Sequence, residues 1–260
     1  MAVFRESVRD RVFYNLVLFA VLLVSASILL AQLTAGQDVK IIKDLGLAAT
    51  SIFGLFIAIF VGINLVSKEV DRRSVYPLLA KPVRRSEFIA GKYAGLLLTL
   101  LVNVCVMAIA LYAVLFLLAR NTPSNVVTSW EAPALDPALL KAMLLIYVDL
   151  ALVTAVALFF SSYSSPLLSA AFTLGVYVIG QFNRDLGRFD QIVSSPVLVA
   201  IGKVFYYVLP DFARFDVKLA VVHGFPVPAM FLLSSIAYAA AYIAALLFGA
   251  TLIFARRDFK

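Results

Sequence analysis

The sequence predicts an all-α membrane protein. Six transmembrane helices are expected, with an N-terminal interfacial helix, an amphipathic element between spans two and three, and a re-entrant or interfacial segment before span six. Three observations predict it. The 260 residues are 63% hydrophobic and 14% charged, against roughly 25% charged in a soluble domain. Several uncharged runs approach or exceed the roughly 20 apolar residues that a helix needs to cross a hydrocarbon core about 30 Å thick. The charges gather between those runs rather than spreading over a surface.

The first span is expected over about Val12–Leu33. Its apolar core runs too far for a signal peptide and lacks a small-residue cleavage site, so it reads as retained. Residues 1–11 precede it, and Phe4, Val8 and Val12 recur every four residues, the spacing of a helix lying in the interface. A polar link, Gly36 to Asp44, leads to the second span, Leu45–Val66. Tyr93–Ala119, the longest uncharged run, is the third. A polar, proline-containing loop over Arg120–Lys141 precedes the fourth, Ala142–Phe160, which only Asp149 interrupts. The turn SSYSSP at Ser161–Pro166 opens the fifth, Leu167–Phe182, and the sixth is Pro228–Phe254.

Residues 183–227, between spans five and six, are expected outside. Val197–Leu209 there is apolar but only about 20 Å long as a helix, with Lys203 at its middle. It reads as an interfacial helix with Tyr206 and Tyr207 at headgroup level. Six spans put both termini on one side, and thirteen of the 22 Lys and Arg then fall on that side. The asymmetry orients both termini toward the cytoplasm. The sequence has no internal repeat of 20–50 residues, so residues 1–260 form one membrane domain.

Small residues recur at four-residue spacing in two spans: Gly54, Ala58 and Gly62 in the second, and Ala237, Ala241, Ala245 and Gly249 in the sixth. Such stripes let helix backbones approach closely in lipid. Packing within the chain is the preferred reading and packing across a dimer the other.

The net charge of +7 does not indicate nucleic acid, because the cations lie at span ends, where topology and anionic lipid account for them. Cys105 is the only cysteine and lies in an apolar run, which excludes an intrachain disulfide or a thiolate metal cluster. Neither H-E-x-x-H nor G-x-S-x-G occurs, and the single histidine, His223, reads as an interfacial polar residue. No catalytic or metal site is expected. A phosphate-binding loop needs G-x-x-x-x-G-K-[ST], and Gly91-Lys92 and Gly202-Lys203 lack both the upstream glycine and the following hydroxyl. Any ATP drive must therefore come from another subunit.

Asp149 is the one carboxylate deep in a predicted span, and an intramembrane charge is by default a functional candidate. One reading is an acid that hydrogen-bonds neighbouring helices, with Asn103 or Asn64 as partner. The other is a direct part in a transport path, with Asn103 alongside, and an ATP-independent ion-coupled carrier would use Asp149 in this way.

The segment Ser67–Lys92 carries seven cations (Lys68, Arg72, Arg73, Lys81, Arg84, Arg85, Lys92) against three anions (Glu69, Asp71, Glu87). A short loop that basic belongs in the cytoplasm. Glu69 with Arg72 and Arg73 has helix-supporting spacing, Pro77 and Pro82 interrupt the pattern, and Ser86 is a candidate N-cap. The result is a bent amphipathic element able to dock in a partner's groove.

The wording of this loop, SKEVDRRSVYPLLAKPVRRSEFIAGKYAG, resembles that of ABC-2-type permeases, the membrane subunits of a class of ATP-binding-cassette transporters. The opening FRESVRDRVFYNLVLFA, the SSYSSP turn and YYVLPDFARFDVK are similar to that family as well. The opening motif starts nearer the N-terminus than is usual there. The resemblance implies a six-span subunit, more often an exporter, that dimerises with a second copy or a similar permease and pairs with separate ATPase subunits, which hold the ATP and Mg. Residues 1–11 become the elbow helix and residues 67–92 the coupling loop. The coupling role falls on Lys68, Glu69, Arg72, Arg73, Lys81, Pro82, Arg85 and Phe88. The setting implied is the plasma (inner) membrane of a prokaryote. A path lined by few charges favours amphipathic or hydrophobic cargo.

Overall fold

In a computed structural model, the described residues are 38–71, 85–123, 127, 130, 132–188 and 195–256, with 17–18, 21–22 and 24–25 as isolated helical positions. Among them every regular element is helical. In chain order these are α1 (Asp38–Asp71), α2 (Arg85–Asn121), α3 (Ala138–Ser161), α4 (Pro166–Gln181), α5 (Asn183–Leu186), α6 (Pro196–Val208), a 3-10 turn (Phe212–Phe215), α7 (Lys218–Val222) and α8 (Ala229–Arg256).

Four stretches are long and apolar enough to cross a membrane: Val39–Phe60, Ile89–Asn121, Ala138–Ser161 and Ala229–Ile253. A fifth would be Pro196–Val208 with Phe212–Val222, two pieces bent by 48° that form either a broken span or a re-entrant loop. The expected first span falls mostly outside the described residues, although Val24 is buried against the main core.

One predicted boundary changes. The polar link Gly36–Asp44 is helical from Asp38 onward, and Lys43 within it is fully buried. Its ammonium donates to the Pro133 carbonyl at 2.8 Å, so the loop before α3 supplies the partner that burial of a cation demands. The predicted fifth span, Leu167–Phe182, coincides within one residue with the 16-residue helix α4, which at 1.5 Å per residue is about 24 Å long, shorter than the hydrocarbon core.

The helix α3 is the axis of the fold. It is buried on most sides, and α1, α2, α4 and α8 all pack on it. Gly54 and Gly62 of α1 meet Leu150 and Ala157 of α3, so these two helices run parallel. Tyr93 of α2 donates to the Ala151 carbonyl at 3.1 Å and Tyr147 of α3 to the Leu97 carbonyl at 3.3 Å, which ties α2 antiparallel to α3.

The shortness of α4 leaves room for the segment between it and α8. It starts from the turn at Ser162–Ser165, where the Ser164 and Ser169 hydroxyls lie 2.7 Å apart, and climbs beside α3. That helix is 24 residues long, about 36 Å, so α4 stops roughly 12 Å short of the far end. The 3-10 turn and α7 fill this space: Phe212, Phe215, Val221 and Val222 are buried in the same core as Leu150. Gly224, with φ of 73°, then makes the turn toward α8, in the left-handed region that glycine adopts without strain.

Candidate functional site

The loop expected to couple to a partner is described only at its two ends. Lys68 and Glu69 lie in the last turns of α1, and Arg85 and Phe88 in the first turn of α2. Arg72, Arg73, Lys81 and Pro82 lie outside the described residues, as does the elbow segment 1–11. The uncharged run of α1 extends through Val66, and the helix runs on to Asp71. The helix therefore passes without a break from the span into the charged motif. Lys92, counted among the loop cations, sits two turns into α2 and is 4% exposed.

Within the chain the α1 stripe finds its partner in α3 rather than in the stripe on α8. The α1 stripe packs on α3: Gly54 faces Leu150, Ala58 is 2% exposed, and a Cβ on Gly62 would lie 3.5 Å from that of Ala157. On α8, Ala237, Ala241 and Ala245 are exposed, and only Gly249 packs inward, against Phe159. Close approach therefore needed small residues on one partner only, opposite the large side chains of α3.

Asp149 lies at the midpoint of α3 and is buried at 5% exposure. One carboxyl oxygen has no hydrogen-bond partner among the described residues, and neither polar atom of the buried Asn103 amide has one. The hydrogen bond expected between them is therefore not formed. Instead Asp149 faces residues that hydropathy had not connected with it. Tyr177 of α4 lies beside it, with Ser51 of α1 and Gln181 of α4 near its hydroxyl. The charged groups acting on it are Lys218 and Asp216, which pair with each other at 3.6 Å. Counted from the α3–α4 turn, Asp149 and Tyr177 stand at nearly equal height, about 18 Å and 17 Å along their helices.

A second set of polar contacts holds residues 209–222 to α8. Arg214 donates to the hydroxyls of Ser235 at 3.3 Å and Ser234 at 3.0 Å, and its guanidinium stands 5.2 Å from the centre of the Tyr238 ring. The Tyr238 hydroxyl accepts from the Asp211 N–H at 2.9 Å. At the other side, the Asn183 amide donates to the carbonyls of Tyr206 and Leu209, holding the C-terminal end of α6. Asp211, Arg214, Asp216 and Lys218 all belong to the PDFARFDVK stretch, whose charge density amid apolar flanks was the legible sign of a docked segment.

Among the described residues no three His, Cys, Asp or Glu side chains gather to hold a metal ion. Such a polypeptide can cross the bilayer, bury a carboxyl group at its midplane and present long helices beyond it. A search among curated proteins finds no match. The family described as ABC-2 family transporter protein matches residues 4–186, which include α1 to α5, the charged loop and the α3–α4 turn. The match covers more than two thirds of the sequence, and the chain belongs to the ABC-2 family of transporter proteins, whose members are the membrane components of ABC transporters.

Proposed function

We propose that this chain is an exporting permease subunit, driven by ATP hydrolysis in a separate ATPase that docks on residues 67–92. The observation that carries the coupling assignment is the unbroken α1 helix, which joins a membrane span to the charged SKEVD motif without a hinge. A push on the loop is then transmitted to α1, and from α1 to α3 through the close contacts at Gly54 and Gly62. Lys68, Glu69, Arg72, Arg73, Lys81, Pro82, Arg85 and Phe88 make the docking surface.

In this reading residues 12–33 add a span, α4 together with the short helices after it completes the fifth crossing, the chain crosses the membrane six times with both termini in the cytoplasm, and two permeases form the pathway. The ATP and Mg belong to the partner. A carrier driven by an ion gradient alone is disfavoured by family membership. The test is charge reversal of Arg72 and Arg73 to Glu, assayed as ATP-dependent transport in membrane vesicles. Transport falls to background while insertion is unchanged; full transport by the variant would refute the docking assignment.

A further inference from the structure

The coupling route through α1 and its contacts at Gly54 and Gly62 does not use the buried carboxyl of Asp149, whose surroundings are built in an unusual way. Tyr177 of α4 stands beside it at nearly its own height, but α4 runs only about 6 Å further. Beyond that the covering is the 3-10 turn and α7, nine residues of short helix joined through Asp216 and Val217, and Phe212 of this covering packs on Tyr177 with ring centroids 5.2 Å apart. This roof is held by contacts that can be released singly: Phe212 against Gly180 and Tyr177, and Arg214 against Ser234 and Ser235.

The geometry points to Asp149 as a proton-binding site whose occupancy is linked to opening of this roof. With the roof down, one carboxyl oxygen lacks any hydrogen bond among the described residues. A bare carboxylate there would carry the cost of an unpaired charge inside a bilayer, and a bound proton removes it. With the roof lifted, water reaches the group and the carboxylate forms, releasing the proton. Each opening thus sheds one proton, and raising the pH favours the open form by up to tenfold per pH unit.

Every charged group that faces Asp149 among the described residues belongs to the roof itself. Lys218 and Asp216 pair with each other at 3.6 Å, and the titratable neighbour on α4 is Tyr177. The α1, α2 and α8 helices bring no charge to it. His223, at the end of α7, contacts the Leu219 carbonyl of its own helix.

The test needs no ATPase, so it stands apart from the coupling assignment. Val221, fully buried in the roof, is replaced by Cys in full-length protein carrying Cys105→Ser and reconstituted in liposomes. Labelling by a membrane-impermeant maleimide is timed from about pH 6 to about pH 9, each rate divided by that of the same protein unfolded at that pH. The normalised rate rises with pH, approaching tenfold per unit; Asp149→Glu keeps the slope and Asp149→Asn is flat. A flat or falling profile with Asp149 in place overturns the proposal, as does a slope that survives in Asp149→Asn. Should Asp149→Asn not fold, infrared spectra of the parent decide: the carbonyl band of a buried protonated carboxylic acid is present at neutral pH, and its absence overturns the assignment.

Discussion

Replacing Gly180 by Ala probes how tightly the roof is seated. A Cβ at this position would lie 2.5 Å from the Pro210 carbonyl oxygen and 2.5 Å from the Phe212 ring, where ordinary contacts begin near 3.4 Å. The shortfall is about 0.9 Å, and part of it is against backbone, which cannot rotate away. Overpacking of this kind costs about 1–3 kcal/mol, while replacing a helical glycine by alanine returns about 1 kcal/mol. The net is up to about 2 kcal/mol lost from the docked roof, a shift of about thirtyfold in its opening equilibrium. Gly175→Ala, in the same helix with open space around the new methyl, is the control and gains about 0.5–1 kcal/mol. Maleimide labelling of the Val221→Cys, Cys105→Ser protein at fixed pH reports the roof, and thermal inactivation in detergent reports the whole protein. Faster labelling in Gly180→Ala and unchanged labelling in Gly175→Ala are expected. Equal behaviour of the two variants would refute the packing of the 3-10 turn on α4.

Other expectations rest on single contacts. Arg214→Met removes two hydrogen bonds to serines and the stacking on Tyr238; bonds from charged donors contribute about 1.5–3 kcal/mol, so roof labelling quickens at least about tenfold. Lys43→Met leaves the Pro133 carbonyl unpartnered and loosens the loop before α3. The only tryptophan, Trp130, packs against the core in that loop, so its fluorescence shifts to the red; an unchanged spectrum argues against the clamp. Gly62→Ala finds ordinary contact with Ala157 and raises thermal stability slightly, whereas Gly54→Val drives into Leu150 and lowers it by about 1–3 kcal/mol, both read by thermal unfolding in detergent.

The sequence made the long helices legible because an apolar run has one stable form in lipid. Its limits appear where a partner distant in the chain decides the outcome. Lys43 marked a polar link by composition, yet a carbonyl ninety residues away makes its burial in a helix tolerable. Four-residue spacing identified Gly54, Ala58 and Gly62 as a packing face, but their partner is α3, whose large side chains gave no matching signal. The apolar run at Leu167–Phe182 looked like a crossing because hydropathy measures greasiness better than reach, and 16 helical residues fall short. Asp149 itself was evident as an intramembrane carboxylate, whereas Tyr177, Asp216 and Lys218 gather around it only through the fold. Family resemblance was readable from the charged loop and the SSYSSP turn, both inside the matched residues 4–186.

The most direct test of the coupling account is to purify the tagged protein from its native membranes in mild detergent and identify the proteins that elute with it. A Walker-motif ATPase in stoichiometric amount, lost when Arg72 and Arg73 are reversed to Glu, is the predicted result. A permease that elutes without any ATPase, or one whose ATPase stays bound to the reversed loop, would contradict the assignment of residues 67–92 as the docking element.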